Sequence, residues 1–490
     1  MQAVNQAICD LDAVTLRRLI RNQEISIPEL LESCIARIEA INPYVNAVVS
    51  TCFEQARKEA REAQSKVMNG QALPPLHGLP VLIKDLSDTA GVRTTYGSLC
   101  FKDNTPESDS AVVSLLKKAG AIVIGKTNTP EFGAGANTTN KLFGATCNPF
   151  NSLLTSGGSS GGSAVALACG MAPLATGSDL GGSLRIPASF CSIVGVRPSP
   201  GQVPSHSHAC GFSPLWTDGP MARTVADADL MLDSMSQYLA IDPLSHPGIS
   251  DIRRPVGHSA DLSALRVGFT ADLGFAPIDS DIKATFEAGR DQLTPHFGES
   301  IELPIDLSDA TDVFRVLRIE SIFAAHGKLA EHQADLLSDN VMSNIRDAEH
   351  LTLKDTARAN ARHTEMFREF QTLFEQLDVI ICPATAVSPF PVQDNFPSSI
   401  NGQPLDGYQA WYAITWALSL MGCPIATVPC GTDHAGMPFG IQVIGGRYQD
   451  KFVMNVAKAV EQVLNDSGTG RILPDLESLS CDVHRRHTWR

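Results

Sequence analysis

Between residues 155 and 201 the chain is dense in glycine and serine, yet it keeps apolar residues at regular positions, among them Val165, Leu167, Leu174, Ile186, Ile193 and Val194. A flexible Gly/Ser linker carries no such set. The segment therefore reads as ordered, and its glycines have a purpose other than mobility. Residues without a Cβ let the backbone bend until successive N–H groups point at one spot.

The flanking sequence supplies an α/β pattern. Residues 11–68 read as helical. Ser26-Ile27-Pro28-Glu29 has the spacing of a capping box, Leu30, Leu31, Cys34, Ile35 and Ile38 follow at helical intervals, and Asn42-Pro43 is a stop. A further helix is expected over 46–68. From residue 76 short apolar strands alternate with helices: a strand over 79–83 that ends in Lys84-Asp85, a helix over 109–118 and a strand over 121–124. This alternation predicts an α/β fold, a large mixed, twisted sheet with helices on both faces. Residues 280–375 are more polar and helical in pattern, notably at 308–325 and 353–377. Strand signals return at 379–383 and 425–429, and a helix fits 451–464. With no internal repeat and no linker, one domain over 1–490 is the simplest organisation. Helices occupy 1–70, a core 76–230, and the helical excursion at 280–375 is expected to shape a substrate pocket.

Charge and cysteine usage narrow the function. With 38 basic and 53 acidic residues the formal net charge is -15. Such a surface repels phosphate backbones and anionic lipid, so neither nucleic acid nor membrane is an expected partner. No run approaches the roughly 18 apolar residues of a membrane span, and no signal-peptide pattern opens the chain. A cytoplasmic protein is expected. The 12 cysteines are scattered without a C-x-x-C pair. They read as small buried residues in a reducing compartment, with no metal site and no cofactor expected.

Two glycine-flanked serines carry the chemical signal. One lies in Gly157-Gly158-Ser159-Ser160-Gly161-Gly162-Ser163, the other in Asp179-Leu180-Gly181-Gly182-Ser183-Leu184-Arg185. A serine hydroxyl needs a base. The segment holds no histidine; the nearest are His77, His206 and His208. Lysine is an alternative base, and Lys84 ends an apolar strand. Its pKa would have to fall from about 10.4 to roughly 7–8, which burial achieves. The backbone N–H groups of Leu180, Gly181, Gly182 and Ser183 could form an oxyanion hole. Asp179 and Arg185 are read as a buried pair bracing that turn. No phosphate-loop spacing accompanies the glycines.

Taken together, these residues resemble the amidase signature family. The resemblance spans most of the chain and is densest from His77 to Pro200. It rests on Gly78-Leu79-Pro80-Val81-Leu82-Ile83-Lys84-Asp85, Gly125-Lys126-Thr127-Asn128, Asn137-Thr138-Thr139-Asn140, the two serine motifs, Val194-Gly195-Val196-Arg197-Pro198 and Gly219-Pro220-Met221-Ala222-Arg223. It implies a Ser–Ser–Lys triad: Ser183 as nucleophile, Ser159 as bridging serine after a cis Gly158–Ser159 bond, and Lys84 as base, supported by Ser160. Arg197 and Gln202 stand where the family often has Lys and Arg.

The reaction expected is hydrolysis of a small-molecule carboxamide, aryl-substituted or not, with carbamates and esters as alternatives. Phe132, Trp216, Trp411 and Trp416 are candidate pocket walls, although ordinary core positions explain each as well. A glutaminase subunit of a tRNA-dependent amidotransferase is the second reading. It is disfavoured by Ile186 after Arg185, where those subunits resemble one another in carrying Gln. The oligomeric state stays open, a homodimer among the options.

Overall fold

The computed structural model describes residues 8–205, 209–247 and 259–481. An 11-stranded sheet organises it. In chain order the strands are β1 (Val48–Thr51), β2 (Pro80–Lys84), β3 (Ile122–Thr127), β4 (Leu174–Asp179), β5 (Val194–Arg197), β6 (Thr217–Ala222), β7 (Arg266–Phe269), β8 (Glu299–Glu302), β9 (Val379–Pro383), β10 (Ile425–Thr432) and β11 (Pro438–Ile444). Their spatial order is β1-β3-β2-β4-β6-β5-β10-β11-β9-β7-β8. β3, β2 and β4 run parallel, as do β9, β7 and β8, and the remaining neighbours are antiparallel. Every residue of β2, β3 and β4 is buried, as continuous apolar strands covered on both faces must be.

The N-terminal helices are α1 (Ala13–Arg21), α2 (Ile27–Val45) and α3 (Phe53–Met68). The Ser26–Glu29 capping box is formed. Pro43 does not end α2: it lies in the last turn, and Asn46 closes the helix in the left-handed conformation. The expected helix over 46–68 is corrected. Its first residues leave as β1, because Asn42 Oδ1 accepts from the amides of Ala47 and Val48 and the Val48-Val49-Ser50-Thr51 run, with three β-branched residues, pairs with β3.

Helix α4 (Ala111–Lys118) joins β2 to β3, and α5 (Gly161–Ala168) joins β3 to β4. All of α5 is buried. Gly162 is required there: a Cβ would lie 2.4 Å from Asn128 N and 2.7 Å from Ala47 O. The short α6 (Arg185–Phe190) follows the second serine motif, and α7 (Val225–Met235) packs on β6.

The excursion at 280–375 comprises α8 (Ser280–Leu293), α9 (Ala310–Gln333), α10 (Asp339–Ala348) and α11 (Leu353–Thr372), but it also contributes β8. That strand is the sheet's edge and reads Glu-Ser-Ile-Glu, largely exposed, so it shows no apolar alternation in sequence. Helices α12 (Ala413–Leu420), α13 (Asp450–Asp466) and α14 (Leu476–Cys481) follow. The cysteines at 9, 34, 169, 191, 382, 423 and 430 are buried, as their apolar company suggests. Among the described residues no helix is long and apolar enough to cross a membrane.

Candidate active site

Parallel β2 and β4 bring Lys84 and Asp179 to the same, carboxyl-terminal edge of the sheet, where ligands bind in open α/β sheets. Lys84 is 1% exposed. Its Nζ lies 2.7 Å from Ser159 Oγ, 2.8 Å from Ser160 Oγ and 2.9 Å from Ser178 Oγ. Burial pushes the amine down to about 7, although the nearby carboxylates of Asp218 and Asp179 favour its charged form. The Gly158–Ser159 peptide is cis. Ser160 Oγ donates to Ser178 O and accepts from Ser178 N, both at 3.3 Å. Its proton is thereby committed away from the lysine, and Ser160 serves as an acceptor for a lysine N–H.

Ser178 was not singled out from sequence. The signal was available: Thr176 and Ser178 alternate onto one face of β4, and Thr176 Oγ1 accepts from the amide of Lys84. Asp218 was also missed. It stands opposite Ser178 across the β4–β6 pair. Burial pushes its carboxyl up to about 6, against the attraction of Lys84 and a hydrogen bond from Trp216.

Ser183 is half-buried in the wall of a cavity of about 430 Å³ that Ser159 and Ser178 also line. Its hydroxyl makes no hydrogen bond to a described residue. The turn before it is held by Asp179, whose carboxylate accepts from the amides of Gly182 at 2.8 Å and Leu184 at 3.0 Å. This corrects one expectation, because the Gly182 N–H is spent inside the turn. The amides of Leu180, Gly181 and Ser183 have no partner among the described residues, and these three residues line the cavity while Gly182 does not. Gly182 has φ +131°, and a Cβ there would lie 2.3 Å from Thr415 Oγ1.

The turn is anchored by charge. Arg185 grips Asp179 through Nε and Nη2, both at 3.0 Å, and Arg197 Nη1 adds bonds to the Asp179 carbonyl at 2.6 Å and carboxylate at 3.2 Å. All three side chains are fully buried. Burial alone would raise the Asp179 carboxyl, but the two guanidiniums outweigh it and hold it below the ordinary carboxylate range. The ion pairs therefore stabilise the fold fully above the unfolded carboxyl's pKa of about 3.9 and persist into mild acid, being lost only as pH falls through the depressed folded value. Asp179→Asn should cost about 3–5 kcal/mol, because it strands two buried guanidiniums. Urea unfolding checks this, and a loss below about 1 kcal/mol would contradict the bracing role.

A second buried lysine, Lys126, donates to Ser87 O at 2.5 Å and to the hydroxyls of Thr89 and Thr94, both at 2.9 Å. It pins the loop after Lys84, which sends Leu86 and Asp88 into the cavity wall.

Of the four aromatic residues expected to line a pocket, Phe132 and Trp216 do so. Trp411 and Trp416 do not. Trp411 is fully buried and stacks on Phe190, and Trp416 stacks on Phe314 behind Gly181. Both lie at or in α12, whose inward face belongs to the core. The cavity takes Tyr412 instead, along with Tyr96, Phe101 and, from α9, Arg318, Ile322 and His326. His326 stacks on Phe132 with 4.0 Å between ring centres, and burial lowers its imidazole to about 4, so it is a neutral wall. His77 hydrogen-bonds Ala63 O and is not among the lining residues; His206 and His208 lie outside the described residues. Asp279, Asp281 and His434 are close enough together to share a metal ion, but they do not line the cavity, and Asp279 is engaged in capping α8.

Serine hydroxyls at one cavity, a buried amine hydrogen-bonded to two of them and lining residues whose backbone N–H groups are unspent among the described residues are the equipment of an acyl-transfer hydrolase. The chain belongs to the amidase family, which it matches over residues 29–454, and it is an amide-hydrolysing enzyme. It is 33% identical over 464 residues to an acylamidase of Rhodococcus erythropolis, covering 92% of this chain and 95% of that protein. It is 30% identical over 489 residues to a component of the glutamyl-tRNA(Gln) amidotransferase of Natranaerobius thermophilus, covering 93% and 96%. Among solved structures, a bacterial aryl acylamidase of the amidase signature family superposes with a TM-score of 0.84 at 27% identity, over 96% of this chain and 98% of that one. A 6-aminohexanoate cyclic dimer hydrolase gives 0.81 at 26% identity, over 95% and 99%. The mixed sheet with helices on both faces is the fold of these enzymes.

Proposed function

We propose that the chain is a free-standing amidase that cleaves small or aryl-substituted carboxamides through an acyl-enzyme on Ser183. The observation that carries this reading is the fully buried Lys84 amine, 2.7 Å from Ser159 Oγ, beside a cavity lined by Ser159, Ser183, Leu180 and Gly181. Neutral Lys84 gives its two N–H bonds to Ser160 and Ser178 and keeps its lone pair for the Ser159 proton. Ser159 in turn takes the proton of Ser183 as Ser183 Oγ bonds to the substrate carbonyl carbon. The oxyanion that forms is met by the three open N–H groups. Ser159 then returns a proton to the amide nitrogen as the C–N bond breaks, which a poor amine leaving group requires. Water, deprotonated by the same relay, attacks the ester and releases the carboxylate and Ser183.

The wall of Phe132, Trp216, Ile322 and His326 suits an apolar or aromatic substrate body. The test is a panel of aliphatic amides, anilides, carbamates, esters and glutamine, compared by kcat/KM, with mass spectrometry of the quenched enzyme. Anilides or apolar amides should exceed glutamine by at least about tenfold, with an acyl adduct on the Ser183 peptide. Glutamine leading the panel, or hydrolysis that appears only with an added partner protein, would favour the amidotransferase reading instead.

A further inference from the structure

Arg318 is a buried cation facing the cavity with no counter-ion among the described residues. It is 5% exposed, sits on α9 and lines the cavity that holds Ser183. Its Nη2 donates to the Tyr408 hydroxyl, and its guanidinium lies 5.3 Å from the centre of that ring. Among the described residues Nε has no hydrogen-bond partner, Nη1 has none either, and no carboxylate pairs with the group. Burial opposes its charge, and the groups that favour it are the phenols of Tyr408 and Tyr412. Arg185 and Arg197, by contrast, share Asp179.

An unpaired buried charge is costly, and proteins keep such groups where something completes them. Here the fork is pre-set. Tyr408 Oη accepts from Arg318 and, at 2.9 Å, from Asn344 Nδ2, so the phenol fixes the guanidinium while adding no negative charge. The position relative to the reacting centre is also set. Phe314, one helical turn earlier, has its ring 3.0 Å from where a Gly181 Cβ would stand, so Arg318 lies about one turn, roughly 5–6 Å along α9, from a residue that packs against Gly181.

We propose that Arg318 anchors a carboxylate carried by the substrate, so that the preferred amides are acidic molecules with an apolar or aromatic body. The inference rests on the reading of Ser183 as the nucleophile of this cavity. Arg318 is a specificity residue: it touches the substrate away from the scissile bond.

The test uses two matched pairs of anilides, each pair a neutral compound and its carboxylate-bearing counterpart, with the acid on the acyl side in one pair and on the aryl amine in the other. The unaltered enzyme should favour the acid in one pair by about thirtyfold or more in kcat/KM, and Arg318→Met should erase that preference while leaving the neutral compounds within about threefold. Arg318→Lys, which keeps the charge, should retain part of it. Calorimetry on Ser183→Ala gives a readout that does not depend on turnover: the acidic anilide should bind, and adding Arg318→Met should weaken it by about thirtyfold. Thermal unfolding of each variant separates loss of binding from loss of fold, and Arg318→Lys carries the test if Arg318→Met does not fold. Equal rates on neutral and acidic members in both pairs, with unchanged affinity, would overturn the assignment of Arg318 while leaving the amidase reading standing. Hydrolysis that survives Ser183→Ala would do the reverse, since the affinity comparison still reports on Arg318.

Discussion

Ser183→Ala should lower kcat/KM on the best amide by about 10⁴–10⁶-fold and leave the fold intact, because residues of a nucleophile–base unit act together and removing one disables all. The residual rate would come from the three open amides and from substrate binding. Stability should change by less than about 0.5 kcal/mol. The Ser183 hydroxyl makes no hydrogen bond to a described residue, the residue is only half-buried, and its backbone is not in the left-handed region, so alanine is accommodated. The turn itself is held by Asp179, Arg185 and Thr415, the last donating to Gly181 O at 2.8 Å. Steady-state kinetics, with thermal unfolding as control, measure both quantities. A variant within tenfold of the parent would remove Ser183 from the mechanism, and Ser159 would be the next hydroxyl to test.

The sequence made the motif-bearing core legible because close packing of backbones leaves a local mark. Gly162 and Gly182 are glycine for reasons that act at a single position, a neighbouring backbone in one case and Thr415 in the other. The Lys84 strand was equally readable as a short apolar run. What failed to show depends on partners distant in the chain. Ser178 and Asp218 matter because β2, β4 and β6 lie side by side, and the motifs beside them mark a neighbourhood without saying which side chain meets Lys84. Trp411 and Trp416 looked like wall residues by type alone, and only the packing of α12 decides that they face Phe190 and Phe314. Arg318 is the extreme case. In sequence it is one arginine on a polar helix, and its meaning arises from its having no counter-ion among the described residues. The Gly182 amide illustrates a finer limit: a glycine-rich turn offers several N–H groups, but which of them remain open is set by a side chain, here Asp179.

Lys84→Met should reduce kcat/KM at pH 7 by about 10³–10⁴-fold, the scale of a lost general base, while the protein stays folded. The reason lies in the direction of its titration. Burial lowers the amine to about 7, against about 10.4 in an unfolded chain. Between these values the unfolded state binds more protons than the folded one, so this group makes stability rise with pH across that interval, and its penalty is full below about pH 7. Methionine removes the penalty and the pH dependence together. The loss of hydrogen bonds to Ser159, Ser160 and Ser178 acts in the opposite direction, and the hydroxyl of Ser160 keeps its bonds to Ser178. The melting temperature of Lys84→Met should therefore change less between pH 7 and 9 than that of the parent. Activity of the parent should follow the same proton with the sign required of a base: kcat/KM rises with pH through about 7 as Lys84 becomes neutral. Asp218 faces Lys84 and favours its charged form, so Asp218→Asn should shift this acidic limb to lower pH, although two coupled groups yield macroscopic values that belong to the pair. A Lys84→Met enzyme within tenfold of the parent at pH 7, or a parent whose activity falls as pH rises through 7, would show that the proton leaves Ser159 by another route.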